Sequence, residues 1–162
     1  MFLRIENSPT KQLLGKTMRM SLLNNKTPEL WRSFMQNRSQ IKHSKDQLLY
    51  SLQVYDSPDH FKNFDPAREF QKWALCEVCD THDIPDGMEL FELPAGMYAV
   101  FLHKGTQANA PATFQYIFGT WLPQSDYELD HRPHFEVLGD KYKNNDPDSE
   151  EEIWIPVKKK TE

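Results

Sequence analysis

A chain of 162 residues with 38% hydrophobic, 27% charged and 12% aromatic side chains has the make-up of one ordinary globular domain with enough apolar mass for a core. Its net charge of −5 argues against a surface built to neutralise phosphates, so no direct nucleic-acid binding is expected. No segment approaches the ~20 apolar residues of a membrane helix, and the first residues lack the apolar run of a secretory signal. Two cysteines supply no disulfide framework, so a cytoplasmic protein with no membrane association is expected.

The first periodic segment, residues 11–23, alternates Leu14, Met18, Met20 and Leu22 against Thr17, Arg19 and Ser21, the pattern of a strand. Asn24-Asn25-Lys26 ends it. Thr27 offers an N-cap, Pro28 suits the first helical position, and Leu30, Trp31, Phe34, Met35 and Ile41 recur at helical spacing. Strands follow at 47–56 and 68–80, separated by a turn-rich stretch from Asp56 to Pro66. The pattern then restarts. Met88–Leu93 and Gly96–Lys104 are strand material around Pro94-Ala95, and a second helix runs from Pro111 to Leu122, closed by Pro123. Strands near 134–140 and 151–158 complete the chain. Strand–helix–strand–strand therefore occurs twice, in modules of about 11–80 and 88–158 within a single domain spanning 1–162. One helix on a short sheet buries its apolar faces poorly by itself, so two such units joining their sheets around a shared groove is the expected α+β arrangement. Trp31 and Trp121 fall on apolar helix faces and are expected in the core.

The last strand carries the sharpest chemical signal. Alternation sets Glu151, Ile153, Ile155 and Val157 on one face and Glu150, Glu152, Trp154 and Pro156 on the other. A carboxylate two residues from an indole on one strand face makes a receptor for an organic cation, because the ring face attracts positive charge.

The segment Arg132-Pro133-His134-Phe135-Glu136-Val137-Leu138-Gly139, followed by Glu151-Glu152-Ile153-Trp154-Ile155-Pro156-Val157, resembles the C-terminal signature of the GyrI-like family, which includes effector-binding domains of AraC-type and multidrug-sensing transcription activators. Pro94-Ala95-Gly96-Met97-Tyr98-Ala99-Val100-Phe101 resembles the motif that opens the family's second half, and Leu13-Leu14-Gly15 lies where its first strand starts. The resemblance implies two strand–helix–strand–strand modules in pseudo-twofold arrangement, antiparallel sheets joined around a ligand groove with the helices on the other side. It also implies that Glu152 is the acid of that groove. Trp154, Trp73 and Tyr55 are the aromatic candidates beside it, with Glu136 as a second carboxylate. The expected partner is an amphipathic, cationic small molecule, with no cofactor. No helix-turn-helix segment is legible ahead of the first strand, so a regulatory output is expected to act through another chain.

Two other roles share the resemblance. Some family members hydrolyse strained cyclopropane-bearing xenobiotics, in which case Glu152 would act as a general acid or base; others bind and inhibit DNA gyrase, which makes a protein partner the third reading. Weaker motifs carry little. Cys76-x-x-Cys79 lies on a strand with no second pair to complete a zinc site, and His131-x-x-His134 lacks a third ligand at recognisable spacing, so no metal is expected.

Overall fold

The structure, a computed structural model, describes residues 1–161. Its strands are β1 (Phe2–Ser8), β2 (Lys11–Met20), β3 (Leu49–Val54), β4 (Phe70–Glu77), β5 (Glu89–Leu93), β6 (Gly96–Lys104), β7 (Tyr127–Leu129), β8 (His134–Leu138) and β9 (Glu150–Lys159). Helix α1 spans Thr27–Asn37, and α2 (Ala110–Tyr116) continues through a π-helical turn, Ile117–Trp121, into the short α3, Leu122–Gln124. Pro28 sits in the first turn of α1, but Thr27 donates its hydroxyl to Met20 Sδ (3.4 Å) instead of capping the helix.

The strands form a nine-stranded antiparallel sheet in the order β1-β6-β9-β8-β3-β4-β2-β5, with β7 paired to β9. The repeated units β2-α1-β3-β4 and β6-α2-β8-β9 meet at the β3–β8 pair, which gives the pseudo-twofold arrangement. Residues 2–8, unassigned in the sequence reading, form β1. Their mixed sequence has no strong period, and the strand exists by pairing with β6. Each unit thus lends an edge strand to the other, β1 to the second and β5 to the first.

These exchanges decide the shape of the sheet. Pro9-Thr10 joins β1 to β2, and Pro94-Ala95 joins β5 to β6, yet the joined strands lie at opposite ends of the strand order. Links that short require the sheet to curl until its ends meet. The face turned away from the helices becomes an interior, filled by Leu13, Tyr50, Leu52, Trp73, Leu75, Leu93, Tyr98, Val100, Phe135 and Trp154. Gly15 allows β2 and β4 to approach on this curve, because a Cβ there would lie 1.9 Å from the Ala74 carbonyl oxygen.

The opposite face packs on the helices in two separate clusters. Leu30 and Phe34 of α1 cover Leu14, Met20, Phe70, Ala74 and Cys76. Ile117, with Phe114, Phe118 and Trp121, covers Ala99, Phe101, Ile153, Ile155 and Val157. Trp31 and Trp121 pack at the edges of these clusters rather than inside them. Between the clusters, the helix side of β3 and β8 presents mainly polar side chains, Ser51, Gln53, His134 and Glu136, with Leu49 still packed into the α1 cluster.

Candidate ligand-binding site

Cross-strand register sorts the candidate side chains by face, since directly paired residues point the same way. Arg4 pairs with Val100, Val100 with Trp154, Trp154 with Phe135, Phe135 with Leu52 and Leu52 with Trp73, so one row crosses the inner face. Glu152 pairs with Val137 on that face, whereas Glu136 pairs with Ile153 on the helix side. Tyr55 packs on the helix side with Phe70. The expected single groove is therefore divided. Glu152, Trp154 and Trp73 come together on the inner face; Glu136 and Tyr55 lie across the sheet from them, because β8 and β9 pair with the two acids out of phase.

The inner face is filled. Trp154 is 6% exposed and stacks on Phe135 at 5.2 Å, and Trp73 is 8% exposed and packs on Phe91 at 5.0 Å. Glu152 closes the rim. Its carboxylate accepts from Trp154 Nε1 at 3.0 Å and from the two Arg4 terminal nitrogens at 3.3 and 3.4 Å, while the guanidinium lies 5.5 Å from the centre of the Trp154 ring. The cation that Glu152 and Trp154 together attract is the protein's own Arg4.

The helix side between the modules has the opposite character. Its floor is Ser51 and Gln53 from β3, Lys72 from β4, His134 and Glu136 from β8 and Glu151 from β9. Gln53, Lys72, His134 and Glu151 are each less than a tenth exposed. Glu136 lies deep in this seam while retaining some accessible surface, and Gln53 Nε2 donates to it at 3.5 Å. Among the described residues neither Glu136 nor Glu151 has a basic side chain within ion-pair distance.

The walls are aromatic. His134 stands edge-on to Tyr55 at 5.0 Å and lies 5.3 Å from Phe61, which stacks on Phe118 at 5.3 Å. Phe61 reaches this position from the β3–β4 connection, so that turn-rich segment lies over one end of the seam. A cleft of about 410 Å³ opens there, with Tyr55, Phe61 and His134 on its inner side and Asp130, His131 and Lys158 at its edge.

Electrostatics follow from this depth. Burial raises the Glu136 carboxyl above its ordinary range, opposed by nearby Lys72 and the Gln53 hydrogen bond. Burial, helped by the charge of Glu136, pushes Glu151 up to about 7. Lys72 is lowered by burial against the pull of both acids, and burial drives His134 down to about 3, so its ring stays neutral at physiological pH. Perturbed acids gathered in one place make the seam a candidate functional site. The sequence had two cues to this seam. Lys72 sits mid-strand between Phe70 and Ala74, and Glu151 leads an otherwise apolar Ile/Val face. His131 stays at the surface while His134 is buried against Tyr55, so the two imidazoles do not converge.

Buried acids with aromatic walls between two modules define a small-molecule-binding domain. The chain matches the GyrI-like small molecule binding domain over residues 1–158 and belongs to that family. It is 28% identical over 159 residues to the transcriptional regulator BrlR of Pseudomonas aeruginosa, covering 97% of this chain and 56% of BrlR. It is 32% identical over 100 residues to a DNA gyrase inhibitor of Erwinia billingiae, covering 58% of this chain and 62% of that protein. The chain thus spans little more than half the length of these curated relatives. SAV2435, solved bound to tetraphenylphosphonium, shares the fold with a TM-score of 0.73 at 15% identity, over 98% of this chain and 94% of that one. No helix among the described residues is long and apolar enough to cross a membrane.

Proposed function

We propose that this domain binds amphipathic organic cations in the seam between its two helices, with Glu136 as the principal counter-charge and Glu151 as the second. Tyr55, Phe61, Phe118 and His134 form the apolar walls. The observation that carries this reading is Glu136 itself: a deep carboxyl, held off its ordinary range by burial, hydrogen-bonded to a neutral amide and paired to no cation among the described residues. Such an acid costs stability unless something compensates it, and a bound cation does so. The tetraphenylphosphonium held by SAV2435 is a ligand of this chemistry. The inner face, by contrast, already holds Arg4 against Glu152, and its tryptophans serve packing.

Isothermal titration with tetraphenylphosphonium tests the assignment. Glu136→Gln should weaken binding at least tenfold, about 1.4 kcal/mol, while Glu152→Gln leaves it within about twofold. The reverse ranking would move the site to the inner face.

A hydrolytic role has one observation in its favour: Glu151, at about 7, is poised to give or take a proton near neutral pH. Mass spectrometry after incubation with excess cyclopropane-bearing substrate tests it. A product peak lost in Glu151→Gln supports turnover, and unaltered substrate removes this role.

A further inference from the structure

Lys72 is the unexplained charge of the seam. It is 8% exposed, its ammonium keeps some contact with solvent, and among the described residues that ammonium makes no hydrogen bond and no ion pair. Buried ammonium groups normally have their protons accepted, because desolvation without partners is costly. Both acids lie close enough to favour its charge, yet neither reaches contact distance. Register explains the stand-off. Lys72 pairs with Gln53 and Gln53 with His134, placing them in one cross-strand row. Ser51 and Glu136 occupy the next row, and Glu151 the one beyond, beside Ile153 on β9. Successive rows on one sheet face lie roughly 7 Å apart. The floor therefore sets Lys72 on one row and the two acids on the next two, with Gln53 beside Lys72 reaching Glu136 and His103 paired to Glu151 at the far edge. A purely cationic ligand would satisfy the acids and leave Lys72 both unpaired and repelled.

Resting on the cation reading above, we infer that the preferred ligand is an amphipathic zwitterion, with its positive centre against Glu136 and Glu151 and a carboxylate against Lys72. Lys72 is then the residue that sets specificity between cations and zwitterions of the same aromatic body. A carboxylate would accept from the ammonium and convert the seam's unpaired charge into an ion pair. The aromatic walls at Tyr55, Phe61 and Phe118 are indifferent to the distinction, so the preference resides in this one side chain.

Matched pairs that differ only by esterification provide the test: rhodamine 19 against its ethyl ester rhodamine 6G, and norfloxacin against norfloxacin ethyl ester. Dissociation constants are measured by titration calorimetry for the full chain, Lys72→Met, Lys72→Arg and Glu136→Gln. The acid should bind at least fivefold more tightly than its ester in at least one pair. Lys72→Met should abolish that preference while leaving ester binding equal or stronger, Lys72→Arg should retain it, and Glu136→Gln should weaken acid and ester alike. An ester preference in both pairs, or an acid preference that survives Lys72→Met, overturns the inference. Should Lys72→Met fail to fold, Lys72→Gln reads the same ratio, and the wild-type ratios alone suffice to reject. If tetraphenylphosphonium binds through Glu136 but the ratios ignore Lys72, only this inference falls. If neither tetraphenylphosphonium nor any of the four probes binds, the cation reading falls and takes the inference with it.

Discussion

The two faces of this sheet carry acids at neighbouring positions of the same strand, yet they treat them in opposite ways. On the inner face, Glu152 stays at a partly exposed rim and meets Arg4 and the Trp154 indole. Across the sheet, Glu151 and Glu136 lie deep and meet no cation within ion-pair distance among the described residues. A charge that is already neutralised is a finished piece of structure. A charge left without a partner in a buried seam is open to a ligand's charge, and that contrast, rather than the presence of Glu and Trp together, is what supports the proposed site.

The largest effect expected from breaking this comparison is on stability. Trp154→Ala removes an interior indole stacked on Phe135 and facing Tyr98. It should cost about 3–5 kcal/mol, read as a fall in the midpoint of chemical denaturation. Phe61→Ala, at a 42% exposed position over the seam, should cost under about 1 kcal/mol and instead weaken ligand binding severalfold. Equal losses of stability in both variants would mean that the seam is packed like the inner face.

The pH response separates the faces next. Glu151 titrates near 7 in the folded protein, above its ordinary value of 4.5, so folding favours the protonated carboxyl. Its contribution to stability is complete below about 4.5 and is lost as pH rises towards about 7. Denaturation midpoints measured from pH 4 to 8 should therefore converge for wild type and Glu151→Gln at the acid end. At the alkaline end the variant should be the more stable. The same deprotonation of Glu151 should strengthen cation binding as pH rises across this interval. Lys72, whose charge favours the ionised Glu151 carboxylate, and His103, paired with Glu151 across β6 and β9, are the basic groups that face it. Identical pH profiles for variant and wild type would show that Glu151 is not held out of water.

Arg4→Met should have the smallest effect. The Arg4 and Glu152 side chains are 41% and 33% exposed, and exposed pairs contribute up to about 1 kcal/mol. Stability should fall within that bound, and tetraphenylphosphonium affinity should be unchanged. A marked gain in affinity would reveal that Arg4 occupies the ligand position and that the inner face is the site after all.

The alternation of Ile153, Ile155 and Val157, the helical spacing around Leu30 and Phe34, and the apolar face of the second helix all carried local signals strong enough to define the repeated units, although Pro123 does not close that helix, which runs on through it to Gln124. Gly96–Lys104 was legible to the residue. β1 was not, because Phe2–Ser8 gains its strand conformation from β6. Nor was β7, a three-residue strand formed against the end of β9 at Val157, Lys158 and Lys159. The candidate acids were visible as residues, and Glu152 and Trp154 were rightly read as neighbours. That Glu136 stands across the sheet from Glu152 could not be read, because strand alternation fixes faces within one strand and only register relates one strand to another.

By itself, then, the sequence determined the two modules, their α+β character and the family, since hydrophobic period and motif residues are local properties. Only the tertiary structure decided which acids are neutralised. That outcome depends on β1 bringing Arg4 beside Glu152 from the far end of the chain, and on β3 and β8 pairing between the two helix-covered clusters. Both arise from pairings between distant segments, for which no local pattern in the chain is a sufficient cause.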